Sequence, residues 1–488
     1  MLVPQSLAYA QLAGMPTYRG LYAAAVPPLA AAAFASSPYL QPGPTAVTAL
    51  LTLGALTPLA AVGSASYVSL GLLLALVVGI ARLAVGLLRA GVVAYLLSQP
   101  MLIGFVPAAA ILIVASQLPV AFGATPPAGG VLAQAAWTVS HPDRWHTSAI
   151  VISLLAAATL ALGPRVNALL PSVLIVVVLG YAYSVGADYT GAKIGHIPAA
   201  LPPVSLDLPW SRLPALIVPG VVIALVGFGE IASIARTYAT LDRRPWNANR
   251  EFVAQGVANL AAGITGGFPV GGSFSRSALN RLAGAKTAFS SAVTGLALLA
   301  FLPVAGFLSP LPKAVLATVV ILAVVGLVRL RPLLDTYRYS PYQFAIAAAT
   351  FAATLALAPH IERALLIGIA LAIGVHLLLE LRIQTDVTEE NEILHLQPRG
   401  VLWFGSARVL EDAFVQLLAD HPNSRRLVVH LDALGRIDLT GALTLRSLLE
   451  NAREAGLEAE IEGVPPAARR VMRRVMEHED LPRPINRP

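Results

Sequence analysis

Residues Gly266–Arg276 read GGFPVGGSFSR, and residues Gln41–Val47 read QPGPTAV. Each stretch interrupts an apolar run with glycine and proline, which stop a helix, and then supplies hydroxyl residues able to cap a new one. Thr45 stands at the first restart, and Ser273 and Ser275 at the second. The segments open the third and tenth of about fourteen apolar elements, equivalent places in two repeats of seven. Paired short, interrupted segments of this kind are the best sequence pointer to a transporter site. A helix start exposes unpaired N–H groups and roughly half a positive charge, so two starts facing each other inside a bilayer form an anion site. Arg276 adds a full positive charge. The other reading is that glycine and proline only kink packed helices. The expected fold is an all-α polytopic membrane protein with two seven-segment repeats, two half-helices and a C-terminal α/β domain.

Composition agrees with a membrane chain. Of 488 residues, 56% are hydrophobic and only 12% charged, against roughly 25% charged in soluble proteins. Residues 1–382 hold 20 basic and 9 acidic residues, whereas residues 383–488 hold 13 and 17. That shift marks a transmembrane domain over 1–382 (repeat 1 about 1–190, repeat 2 about 213–382) and a water-solvated domain over 383–488. There are no cysteines, which excludes disulfides and thiolate ligands; no cofactor and no metal are expected. Basic clusters with interleaved aromatics are absent, so nucleic acid is not an expected partner. Neither H-E-x-x-H nor G-x-S-x-G occurs, and an enzyme is not expected.

Apolar runs long enough for spans recur from Tyr67–Leu88 to Ala364–Leu381, with one near Leu169–Tyr183. With an even number of spans and a cytosolic C-terminal domain, thirteen basic residues, Arg82 and Arg236 among them, fall on the inner side. Six, including Arg19, Lys193 and Lys313, fall outside, as the positive-inside rule requires. The expected location is a bacterial inner (plasma) membrane, multi-pass, with the lipid bilayer as partner. Thirteen residues precede Gly14, too few to cross a bilayer. Either the first helix enters partway or the natural chain begins earlier; a signal peptide is not expected.

Glu230 lies in the apolar run Ile217–Ile234. A carboxylate in such surroundings suits a group that loads and releases a proton near neutral pH; a structural ion pair or hydrogen bond is the alternative. Gln5 and Tyr9, four residues apart, share a helix face and either line the cavity or sit in the core or at the lipid interface.

At these residues the chain resembles the sulfate permease (SulP) family of anion transporters, whose animal members include prestin and pendrin. The stretches that carry the likeness are VPQSLAYAQLAGMPTYRGLYAA (Val3–Ala24), QPGPTAV (Gln41–Val47) and RPWNANREFVAQGVANLAAGITGGFPVGGSFSRSALNRLAGAKT (Arg244–Thr287). The resemblance implies that the two seven-segment repeats are inverted, and it implies a core domain of segments 1–4 and 8–11, a gate domain of segments 5–7 and 12–14, elevator-like movement of core against gate, and a homodimer. It implies substrate contacts at Gln5, Tyr9, Thr45, Ala46, Ser273, Phe274, Ser275 and Arg276, and proton coupling at Glu230.

The C-terminal part resembles the STAS domain shared with anti-sigma factor antagonists. An apolar strand at Leu427–Leu431 is followed by DALGRIDLTGALTLRSLLENAREAG (Asp432–Gly456), read as strand, turn, a cap at Asp438–Thr440 and an amphipathic helix. Thr440 stands where antagonists carry a phosphorylatable serine. It is expected either to cap this helix or to serve as a regulatory phosphate acceptor.

The function expected from these features is proton-coupled symport of a small anion, with a C4-dicarboxylate such as fumarate first. Sulfate or bicarbonate carriage, sodium-coupled or by exchange, comes next. A nucleobase symporter and a membrane-anchored sensor are the rivals in ligand and class.

Overall fold

The computed structural model describes residues 2–95, 98–167, 171–187, 189–390 and 392–476. Leu169 and Leu170, which open one expected span, lie outside the described residues, as do residues 477–488. The chain divides into two compact units, Met1–Ala372 and Ile373–Pro488.

The first half of the membrane unit runs α1 (Leu2–Leu12), α2 (Tyr18–Ala32), β1 (Pro42–Gly43), α3 (Ala46–Leu56), α4 (Ala65–Leu87), α5 (Gln99–Phe122), α6 (Val131–Ser140), α7 (Thr147–Val166) and α8 (Ser172–Gly186). The second half runs α9 (Leu213–Leu241), α10 (Ala248–Ile264), β2 (Gly271–Gly272), α11 (Phe274–Leu282), α12 (Phe289–Phe301), α13 (Lys313–Val324), α14 (Arg331–Tyr339), α15 (Pro341–Ala356) and α16 (Ile361–Glu380). Among the described residues, six helical stretches are long and apolar enough to cross a membrane by length and composition. Two short helices, α6 and the amphipathic α14, are additions to the fourteen elements read from sequence.

The packing repeats when the halves are exchanged. α4 lies along α10 as α2 lies along α12, and α5 lies on α15 as α13 lies on α7. Helices α1–α4 and α9–α12 form one group; α5, α7, α8, α13 and α15 form another. Sequence spacing explains the closest of these contacts. Gly79 and Gly86 on α4 lie against Leu260 and Val253 of α10, and Gly256 and Gly263 on α10 lie against Leu83 and Leu76 of α4; each pair is seven residues apart, so both helices offer a flat stripe. A Cβ on Gly256 would stand 2.7 Å from the Leu83 amide nitrogen, and one on Gly79 2.7 Å from that of Leu260. Backbone cannot move aside as a side chain would. Gly256→Val is therefore expected to destabilise the unit by about 3 kcal/mol, seen as a lowered melting temperature and aggregated protein on size exclusion in detergent.

The half-helices are real. At about 1.5 Å per residue, α3 with 11 residues and α11 with 9 stop well short of a bilayer core of about 30 Å. Just ahead of each restart the chain pairs as antiparallel strands, Pro42 with Gly272 and Gly43 with Gly271. That crossing brings the two helix starts together.

In the second unit, β3 (Gln384–Glu390) and β4 (Ile393–Leu402) form a hairpin, followed by α17 (Ala407–Asp420), β5 (Arg426–His430), β6 (Leu434–Ile437), α18 (Leu439–Glu454), β7 (Glu458–Glu462) and α19 (Arg469–Val475). Strand order is β3-β4-β5-β7, with β6 also on β4; all pairings except β3–β4 are parallel. Alternate residues Leu394, Leu396, Leu427, Val429 and Ile461 pack against Phe414, Leu445, Leu449 and Met472 of the helices. The expected cap at Thr440 is corrected: Asp438 is the N-cap, its carboxylate accepting from the Gly441 N–H at 2.8 Å. Thr440 is exposed in the first turn of α18.

Candidate functional site

Thr45 caps α3 by accepting from the Thr48 N–H at 3.3 Å, and the Thr48 hydroxyl returns a capping-box contact to Thr45. Ser273 caps α11 by accepting from the Arg276 N–H at 3.5 Å, and its hydroxyl lies 3.2 Å from that of Ser275. The first amides of a helix have no intrahelical acceptor. Thr48 and Arg276 are capped; the amides of Ala46 and Val47 on one side and Phe274 and Ser275 on the other belong to the first turns, which lack intrahelical acceptors.

The Arg276 side chain, 5% exposed, binds the two halves together: its Nη1 donates to the Pro44 carbonyl at 2.9 Å. Its Nε and Nη2 are buried and have no hydrogen-bond partner among the described residues. These two nitrogens form the forked edge of a guanidinium that meets two oxygens of a carboxylate or sulfate at once. Gln5 and Tyr9 on α1 are buried, and the Gln5 Oε1 is likewise unpartnered. Glu230, half-buried on α9, and Arg276 interact electrostatically, and both act on the Tyr9 phenol. The structure thus brings Tyr9, Glu230, Arg276 and the two helix starts to one place. Phe274 and Ser275 are exposed, and the Phe274 ring turns toward Tyr238, centroids 5.9 Å apart.

Several supporting residues were not singled out from sequence. Arg82, assigned by its position to the inner loops, is instead fully buried within α4. It donates to the carbonyls of Val270 (2.9 Å), Ala224 (3.1 Å) and Ile223 (3.4 Å). Asn259 on α10 donates to the Val270 carbonyl at 3.1 Å and accepts from the Val270 N–H at 2.9 Å. Val270 immediately precedes β2, so these two side chains fix the strand from which α11 starts. On the same half-helix, Ser277 accepts from the Gln41 N–H at 3.2 Å and Asn280 donates to the Tyr39 carbonyl at 3.1 Å. Arg281 pairs with Asp242 at 2.6 Å. A signal was present for Arg82, a lone arginine in a long apolar run, but its partners lie far along the chain.

The fold is that of a membrane bundle whose two halves meet through broken helices. Comparison with known families matches residues 1–350 to the sulfate permease family and residues 384–485 to the STAS domain. The chain belongs to the sulfate permease family. A probable sulfate transporter of Mycobacterium tuberculosis is 34% identical over 366 residues, 73% of this chain and 64% of the relative. The chloroplastic sulfate transporter 4.1 of Arabidopsis thaliana is 30% identical over 390 residues, 77% of this chain and 56% of the relative. The matched part therefore spans less than two-thirds of these relatives' length. Among solved structures, the murine Solute Carrier 26 family member A9 (Slc26a9) anion transporter in the inward-facing state superposes with a TM-score of 0.88 at 20% identity, covering 96% of this chain and 84% of the other. The transmembrane domain of a cyanobacterium bicarbonate transporter, BicA, gives 0.65 at 23% identity, covering 76% and 94%. At these identities the likeness is one of fold.

Proposed function

We propose that the chain is a secondary active transporter that carries a small oxyanion across a membrane together with a proton. The observation that carries this reading is the buried, unpartnered Nε/Nη2 edge of Arg276 at the meeting of two electropositive helix starts. The amides of Ala46 and Phe274 and the hydroxyls of Thr45, Ser273 and Ser275 would complete the anion's shell, with Gln5 and Tyr9 on the facing helix. Sulfate is the first reading, supported by the names of the two relatives above. A C4-dicarboxylate such as fumarate offers the same two-oxygen edge to the guanidinium and is the second reading. Movement of α1–α4 with α9–α12 against the other group, a homodimer, and a cytosolic STAS domain beneath a bacterial plasma membrane belong to the same proposal.

Counterflow into proteoliposomes of the purified chain, across sulfate, bicarbonate, fumarate and uracil, tests ligand and class together. Saturable exchange of one anion is expected. Silence for every anion favours a sensor, and a uracil signal favours a nucleobase carrier. Glu230 is the proposed proton carrier because it shares the field of Arg276 and Tyr9. Glu230→Gln is expected to leave exchange intact and to remove at least about tenfold of the uptake driven by an inward proton gradient. Uptake that follows the gradient as before, or that follows sodium instead, would remove that role.

A further inference from the structure

A recess opens on the face of the membrane unit reached by the loop after α3. Its volume is about 350 Å³, and it is open to solvent. Gln11, Thr17 and Tyr18 line it from the α1–α2 side, and Val62 from the α3–α4 loop. His196 and Lys313 line it from the other side. Backbone pairing fixes those two together: the Lys313 N–H donates to Ala192 at 2.8 Å and the Ile194 N–H to Leu311 at 2.9 Å. Among the described residues, no acidic residue lines the recess and Lys313 belongs to no salt bridge. Gln11 is held by donation to Gln117 at 3.3 Å, while its own buried Oε1 has no partner. Gln11 belongs to α1, which also carries Gln5 and Tyr9. The recess therefore gathers an ammonium, an imidazole, a carboxamide and two hydroxyls, with no carboxylate among the described residues that line it. Its walls come from both helix groups.

We propose that this recess is a second anion-binding site, where Lys313 and His196 hold a small oxyanion before it reaches the half-helices. The inference rests on the transport reading and extends it to an entry step. Low-dielectric walls lined by one sign of charge raise the local concentration of a counter-ion, an effect that falls with ionic strength.

The chain has no cysteine, so Val62→Cys places a single thiol at the recess. In the full chain in nanodiscs, this thiol is reacted with an anionic sulfonatoethyl methanethiosulfonate and with the neutral methyl methanethiosulfonate. The ratio of anionic to neutral rates is expected to fall at least about threefold when Lys313→Gln and His196→Gln are added. Millimolar sulfate is expected to slow the anionic reagent in the Val62→Cys chain and not in the triple variant. An unchanged ratio, or labelling indifferent to sulfate, overturns the site. In proteoliposomes, Lys313→Gln with His196→Gln is expected to raise the KM for sulfate severalfold at low salt with maximal rate preserved, and Lys313→Arg to restore it. A wild-type chain that moves no anion would sink the transport reading, while the labelling ratio would still decide the recess.

Discussion

Arg276→Ala is expected to lower saturable anion uptake several-hundredfold, with the protein still monodisperse in detergent. The size follows from what the side chain does. Removing one partner of a buried, charge-assisted hydrogen-bonded pair costs about 2–5 kcal/mol, and each 1.4 kcal/mol is about tenfold in affinity. The two helix starts remain in the variant, but each offers only about half a charge, partly satisfied by its own cap. A stability cost also follows, because the Pro44 carbonyl loses its donor; about 1–3 kcal/mol is usual for such a group. Arg276→Lys separates charge from shape. Lysine keeps the charge but has no planar fork, so it is expected to recover a small part of the uptake with weakened affinity. Uptake in Arg276→Ala at the wild-type level would place the anion elsewhere.

The chemistry that made this site legible is local. At 41–47 and 266–276, glycine, proline and hydroxyl residues sit next to one another, and capping acts over three or four residues, so the helix breaks and their partners can be read directly. The juxtaposition of the two breaks is long-range, yet the sevenfold count of elements predicted it, because equivalent segments of inverted repeats meet near the pseudo-axis. Arg82 was misplaced for the opposite reason. A charge near the end of an apolar run is assigned to a loop by position alone, and its three carbonyl partners lie more than 140 residues away. Asn259 bonds to Val270, only 11 residues on, but across a break whose path no periodicity describes. Thr440 lost the cap to Asp438 because two capping residues stood two apart, and backbone geometry chose between them. The β3–β4 hairpin was missed because its charged residues hide the alternation of Leu394 and Leu396.

Arg82→Met is expected to reduce uptake more than about tenfold while changing the melting temperature little. Two large terms oppose each other. Burying a guanidinium with no carboxylate partner costs several kcal/mol, and hydrogen bonds to a charged group return about 1.5–3 kcal/mol each. With three such bonds, all to backbone carbonyls, the terms nearly cancel. A methionine of similar reach removes both together, so stability is not where the effect falls. It falls on Val270, which keeps its bonds to Asn259 but loses its tie to α4. β2 then loosens, and with it the register that sets Gly271 against Gly43 and Arg276 against Pro44. The positive charge behind the half-helices disappears as well. Arg82→Lys restores the charge without the three-way reach and is expected to recover affinity more than maximal rate. That split between KM and rate is one that simple misfolding would not produce. Wild-type uptake in Arg82→Met would leave the buried guanidinium with no part in holding the anion site.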